Sequence, residues 1–430
     1  MSKLLIQNAL VIDPALKLEK KMNLLIEDGR IKSVGSGFPG TACGSFEIYD
    51  ASGLWLMPGL IDMHVHTREP GMERAENLSS ASQAAAAGGF TSILAMPNTD
   101  PPADDPELLL RLRAKAAALP VNIYFSGAVS RGRAGLKLAD LKALRAAGAL
   151  AFTDDGACVS DPELLKKALE FSRTEAVPVL EHAENPALAG QGVIHQGKVS
   201  AALGLPGILD DSESSIVLRD VKLARETGGR LHFQHLSCRE SVEIVREAKK
   251  LGSGVTAETC PHYFTLTCED VKDASYKMKP PLRESEDLAA LKEGLADGAI
   301  DVIASDHAPH PAAEKAKGLL KAPFGVIGLE TALGLALTEL FHTGLVSRLR
   351  LAELLSSNPA RILGLKSKGG LAPGMDADLT LIDPAVEYYV GPRFYSRSVN
   401  SPFIGRRLKG RAAATIVGGR FVFSRAACFL

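Results

Sequence analysis

Gly59-Leu-Ile-Asp-Met-His64-Val-His66-Thr-Arg68-Glu-Pro-Gly71 is an apolar run that ends in two histidines one residue apart and then a Pro-Gly turn. Side chains on a strand alternate between faces, so His64 and His66 project to one side at the strand's end. Two imidazoles so placed can hold one metal ion. Two ordinary surface histidines are the plainer reading. The apolar strand before them and the turn after them argue against it.

The same rhythm repeats downstream. Short apolar runs occur at Leu60 to Val65, Phe90 to Met96, Val121 to Gly127, Ala149 to Thr153, Val177 to His182, Leu231 to His235, Gly254 to Glu258 and Asp301 to Ser305. Helix-like Ala- and Leu-rich stretches separate them, such as Ala81 to Ala87, Pro106 to Ala118, Pro162 to Glu175, Ser214 to Thr227, Arg239 to Leu251 and Glu286 to Gly294. Alternating strand and helix implies a parallel sheet, and eight units predict an α/β fold of the (β/α)8 TIM-barrel type. A doubly wound open sheet would want a glycine-rich phosphate turn after its first strand, and none is present.

Both ends of the chain read differently. Leu4 to Ile12, Asn23 to Ile26 and Arg30 to Val34 fit strands, with Asp28-Gly29 as a hairpin turn. Asp378 to Ile382, Ala413 to Val417 and Arg420 to Phe423 do the same around Gly418-Gly419. This predicts a small β-sandwich domain built from residues 1–57 and 367–430, flanking a barrel over 58–366. Trp55 would pack where the two meet.

At 430 residues the chain can bury such a core. Its net charge of −1 gives no electrostatic case for nucleic acid or an anionic membrane as partner. No apolar run approaches the roughly eighteen residues of a membrane span, and the N-terminus is too short and polar for a signal peptide. Cys43, Cys158, Cys238, Cys260, Cys268 and Cys428 are scattered with no CxxC. That usage suggests reduced thiols and a cytoplasmic location. Arg111, Arg113 and Lys115 read as a solvated helix face.

In a barrel of this type, catalytic groups cluster where strands end. The first strand ends in His64 and His66, the fourth in Thr153-Asp154-Asp155-Gly156, the fifth in Glu181-His182-Ala183-Glu184, the sixth in Gln234-His235, and the eighth in Asp306-His307-Ala308-Pro309-His310. This inventory of imidazoles and carboxylates suits one or two Zn²⁺ ions. An aspartate can bridge two ions, and strand alternation does not choose between Asp154 and Asp155. His182 and His235 could each be core histidines, but five strand ends agree. Asp306 could cap a helix; opposite an activated water it reads better as a general base. Arg68 lies on the His66 side if the extended path continues, and its guanidinium can pair bidentately with a carboxylate. Asn98 and His310 add polar groups, so the set suggests an anionic amide substrate. Pro323-Phe324-Gly325 and Gly328-Leu329-Glu330 end a long loop starting after His310, a common setting for a lid.

The sequence resembles the class I dihydroorotases of the amidohydrolase superfamily. The resemblance rests on Asp62-Met-His64-Val-His66-Thr-Arg68-Glu-Pro-Gly71, Met96-Pro-Asn98-Thr-Asp-Pro-Pro102, Phe152-Thr-Asp-Asp155-Gly156, Glu181-His182-Ala-Glu184, Gln234-His235-Leu-Ser237, Glu258-Thr-Cys-Pro-His262, Pro280-Pro-Leu-Arg283 and Ser305-Asp306-His-Ala-Pro-His310. These run in the family's order across nearly the whole chain. The resemblance implies zinc-dependent, reversible hydrolysis of (S)-dihydroorotate to N-carbamoyl-L-aspartate, the third step of pyrimidine synthesis. It implies that His64, His66 and Asp306 bind one ion, that His182 and His235 bind a second, and that Asp155 bridges. Asp306 would also be the base, while Arg68, Asn98 and His310 would hold substrate; Lys279 and the Pro323-Phe324-Gly325 segment stand as further candidate substrate contacts. A homodimer, possibly docked to aspartate transcarbamoylase, is the implied assembly.

Two positions depart from the family pattern. Lys279 stands where an Asn that approaches the substrate ring is usual, and Ala183 follows His182 where Cys is frequent. The competing readings are another cyclic-amide hydrolase (dihydropyrimidinase, hydantoinase or allantoinase) and an inactive scaffold partner of aspartate transcarbamoylase. The first would carry a lysine for carbamylation at the fourth strand end, and the second would have lost metal ligands. Neither feature is found.

Overall fold

The structure, a computed structural model, describes residues 3–37 and 47–425. Cys43 and Cys428 lie outside them. The N-terminal strands are β1 (Lys3–Asp13), β2 (Leu18–Glu27), β3 (Arg30–Gly35), β4 (Glu47–Asp50) and β5 (Trp55–Pro58). Asp28 and Gly29 both take positive φ, 50° and 76°, as the tight β2–β3 hairpin requires.

The barrel begins with β6 (Leu60–Val65), β7 (Phe90–Ala95), β8 (Asn122–Gly127), β9 (Ala151–Phe152) and β10 (Val179–Glu181). An excursion then adds a separate two-stranded pair, β11 (Ile194–His195) and β12 (Gly207–Ile208). The barrel resumes with β13 (Leu231–Phe233), β14 (Thr256–Thr259) and β15 (Val302–Ile303). Its eight strands neighbour one another in chain order, in parallel throughout. Val65 bridges His307, and the His66 N–H donates to the His307 carbonyl at 2.9 Å, which brings the last strand back to the first. The barrel expectation is met and the open doubly wound sheet is excluded.

The interior explains why the chemistry sits at one end. Ile61, Met63, Leu94, Met96, Ala151, Leu180, Val302 and Ala304 fill the lower barrel, and Ala360, Ile362 and Leu363 plug it from below. Only the carboxyl ends of the strands remain for a site. Local signals set the surrounding helices. Asn77 caps the helix Leu78–Gly88 through a capping box with Ser80. Asp105 and Asp161 cap Pro106–Ala116 and Pro162–Glu175, each with proline in the first turn. Such caps contribute about 1 kcal/mol apiece. The short helix Leu141–Ala146 escapes the sequence reading because six residues carry little periodicity.

After the barrel, β16 (Leu379–Tyr389), β17 (Arg407–Val417) and β18 (Arg420–Ser424) complete an eight-stranded sheet with β1–β5. Leu4, Ile6, Leu24, Ile26, Leu379, Leu381, Ala414 and Ile416 share one core, so the β-sandwich draws on both termini. Trp55 meets Phe341 edge-on at 4.7 Å, joining this sheet to a helical segment around the barrel. Gly59, where the chain crosses from sheet to barrel, has no room for a side chain: a Cβ would sit 2.1 Å from Thr91 Oγ1.

Candidate active site

The six predicted ligand residues converge above the plugged interior. The Asp155 carboxylate is central, with Oδ1 3.3 Å from His64 Nε2, 3.5 Å from His182 Nδ1 and 3.7 Å from His235 Nε2, and Oδ2 3.5 Å from His66 Nε2. Asp306 Oδ1 lies 3.0 Å from His66 Nε2 and 3.4 Å from His64 Nε2. His182 Nδ1 and His235 Nε2 are 2.8 Å apart. Two groups with ligand spacing result, His64–His66–Asp155 and Asp155–His182–His235, sharing the aspartate. Their chemistry suits borderline divalent metals. His64 Nε2 and Asp155 Oδ1 are also buried without a hydrogen-bond partner. Orphaned polar atoms facing one another are costly unless something binds them.

The adjacent aspartates do different work. Asp154 turns away and accepts from the Ser130 amide at 3.0 Å and from its hydroxyl. Arg133 donates to the carbonyls of both Asp154 and Asp155, fixing the turn that aims Asp155 inward. Further groups orient the imidazoles. Glu258 accepts from His64 Nδ1 at 2.7 Å and lies 3.1 Å from His232 Nε2. Asn98 Oδ1 lies 2.9 Å from His66 Nδ1, a contact that leaves Nε2 facing Asp306. Fixing one ring nitrogen selects the tautomer that offers the other to a metal.

Three residues of the site adopt left-handed backbone that side chains disfavour. Arg68, His235 and Asp306 take positive φ of 59°, 36° and 45°. Such residues cost of order 1–3 kcal/mol each and persist where the surroundings dictate them. The extended path expected to carry Arg68 beyond His66 is therefore not followed; the chain turns left-handed there. The guanidinium nevertheless reaches the same cavity, donating from Nε to the Pro309 carbonyl at 3.2 Å and lying 3.2 Å from His310 Nε2. That cavity, about 360 Å³, is lined by His66, Arg68, Asn98, Asp155, His182 and Asp306 together with Lys279, His310 and Pro323–Gly325. Lys279 pairs with Glu184 at 2.8 Å and stands 5.3 Å from the Phe324 ring centroid.

The expected solvated face at Arg111, Arg113 and Lys115 is exposed, and two of its side chains also find partners. Arg113 donates to the Ala147 carbonyl at 2.6 Å, and Lys115 pairs with Glu69 beside Arg68. The expected lid loop holds two short helices, Ala312–Lys315 and Gly318–Lys321.

Electrostatics follow from burial and crowding. Burial works against a charge on His64, yet the Asp155 and Asp306 carboxylates hold its pKa well above the usual histidine value. Burial is likewise overcome at Asp155 and Asp306, where the imidazoles keep the carboxyls below the ordinary range. Burial, with Arg68 beside it, pushes His310 down to about 3, so its ring is neutral. The metal-free site therefore carries a proton on His64 that an entering ion must displace. The sign is fixed: His64 is protonated below its raised pKa, so metal affinity falls as pH falls. A competing chelator should register a loss of up to about tenfold per pH unit between pH 8 and pH 6. An affinity that is flat over that window would contradict this.

The profile of the Amidohydrolase family matches residues 55–422. A dihydroorotase of Pelotomaculum thermopropionicum is 48% identical over 424 residues, 98% of each chain. One of Pelobacter propionicus is 46% identical over 98% of this chain and all of that one. Among solved structures, an L-hydantoinase (dihydropyrimidinase) from Arthrobacter aurescens superposes with a TM-score of 0.87 at 27% identity, covering 99% of this chain and 97% of that one. A dihydropyrimidinase from Brevibacillus agri gives 0.86 at 25% identity over 98% and 95%.

Proposed function

The chain belongs to the amidohydrolase family, within its dihydroorotases, and on that premise we propose that it catalyses reversible hydrolysis of (S)-dihydroorotate to N-carbamoyl-L-aspartate. It is a metal-dependent hydrolase acting on a cyclic amide. The observation that carries the substrate is a single cavity containing both the Asp155-centred imidazoles and the buried Arg68 guanidinium. A ring amide that also bears a carboxylate needs both. The Ala149–Cys158 stretch, which includes the β9 end, offers Asp155 and no lysine, which favours the class I dihydroorotase pattern over the hydantoinases.

His64, His66 and Asp306 would hold one zinc ion, His182 and His235 a second, with Asp155 between them. When bound, zinc lowers the pKa of water to about 7 and polarises an amide carbonyl. Asp306, kept ionised by the surrounding imidazoles, takes the proton of the attacking water. The water oxygen bonds to the ring carbonyl carbon, the carbon–nitrogen bond breaks, and Asp306 returns the proton to the leaving nitrogen. Arg68 holds the substrate carboxylate by charge-assisted hydrogen bonds, with Asn98 and neutral His310 beside it. Lys279 and Pro323–Gly325 face the ring. The reading carries with it a cytoplasmic homodimer able to meet aspartate transcarbamoylase, and the division 1–57, 58–366 and 367–430.

Arg68 separates this substrate from its neutral relatives. The wild type should open (S)-dihydroorotate far faster than dihydrouracil or hydantoin. Arg68→Ala should lose about a hundredfold in kcat/KM on dihydroorotate while its dihydrouracil rate hardly changes. A wild type that prefers dihydrouracil would refute the assignment.

A further inference from the structure

Lys315 is a buried lysine, only 7% exposed, with no carboxylate ion-pair partner among the described residues. Its ammonium donates to three backbone carbonyls: Lys277 at 3.1 Å, Pro323 at 3.0 Å and Gly325 at 2.8 Å. These acceptors belong to two segments that are far apart in sequence. One leads to Lys279 and the other is Pro323–Gly325, and both line the cavity. Gly325 N–H also donates to the Lys277 carbonyl at 2.9 Å, so the segments meet directly.

Asn400 works from the same side. Its Nδ2 donates to Gly325 O and Ala308 O, both at 3.0 Å, and its Oδ1 accepts from the His310 amide at 3.1 Å. Gly325 O thus receives both Lys315 and Asn400. Its φ of 131° and the crowding of a would-be Cβ 2.7 Å from Ala308 Cβ leave that position little alternative to glycine. On the far side of Lys315 and Asn400 lies a second cavity of about 490 Å³. Burial and the nearby Lys277 charge push the Lys315 pKa down to about 7, with Asp273 pulling back. An amine buried against three carbonyls in so unfavourable a place points to a positional task.

We propose that Lys315 is a positioning residue for the substrate side of the site, clamping Pro323–Gly325 against the Lys277–Lys279 segment and so setting substrate affinity more than the chemical step. This deepens the dihydroorotase reading and rests on it for the substrate. Loss of a charged donor from three acceptors frees a wall, not a metal ligand.

The test pairs kinetics with amide hydrogen exchange over residues 318–328, on the zinc-loaded full chain. Lys315→Met should raise KM for (S)-dihydroorotate about tenfold, leave kcat within about twofold, keep the metal content, and speed exchange in that segment. Asn400→Ser, should Lys315→Met not fold, should do the same more weakly. Unchanged exchange, or unchanged KM with a fall confined to kcat, overturns the proposal. If the wild type opens no dihydroorotate yet Lys315→Met exchanges faster, the clamp stands and the substrate assignment falls.

Discussion

Asp306→Asn should lose roughly 10²–10⁴-fold in kcat while still binding metal. The side chain keeps its size, so the packing at the end of β15 survives. What disappears is the basic oxygen that lies 3.0 Å from His66 Nε2 and 3.4 Å from His64 Nε2. An amide cannot accept the proton of the attacking water or return it to the leaving nitrogen. His64, His66 and Asp155 remain for one ion and Asp155, His182 and His235 for the other. Zinc content measured beside single-turnover ring opening separates the two roles. Near wild-type turnover would show that another group is the base. Loss of metal along with turnover would make Asp306 chiefly a ligand.

Asp155→Ala should be more damaging still, abolishing both metal binding and measurable turnover. Among the described residues, Asp155 is the one carboxylate within 4 Å of His64, His66, His182 and His235 together. Its removal leaves four buried imbalanced imidazoles and takes a ligand from each triad. His64 would lose the carboxylate that does most to hold its pKa up, so it would shed its proton at lower pH in the metal-free protein. Asp154→Ala should spare the metal, since that carboxylate is spent on Ser130; its cost should appear in stability through the loosened turn. Zinc stoichiometry in the two variants distinguishes neighbours that differ by one position. Retention of two ions by Asp155→Ala would refute its bridging role.

The contrast between these aspartates shows where the sequence was legible. Short continuous apolar runs, separated by helix-like stretches, announce eight parallel strands, and a parallel barrel makes its strand ends into a single site. His64, His66, His182, His235 and Asp306 could be gathered on that logic alone. The reading faltered beyond the strands, where no period applies. Residues 153–155 already lie past the end of β9, and it is Arg133, gripping the Asp154 and Asp155 carbonyls from another loop, that aims Asp155. Arg68 reaches the cavity through a left-handed turn that extension could not predict. Glu258 lay inside a recognised motif without a role, because its task is to orient His64 across the barrel. Lys315 and Asn400 were invisible for a related reason: they act on backbone carbonyls of distant segments, and such contacts leave no pattern in side-chain chemistry.

The most direct test of the central claim is ring opening of (S)-dihydroorotate by the purified chain, followed by ultraviolet absorbance, before chelation, after chelation and after zinc is restored. The account predicts turnover that vanishes with the metal and returns with zinc, without comparable turnover of dihydrouracil or hydantoin. Zinc-loaded protein that leaves dihydroorotate intact, or that opens the neutral rings instead, would contradict it.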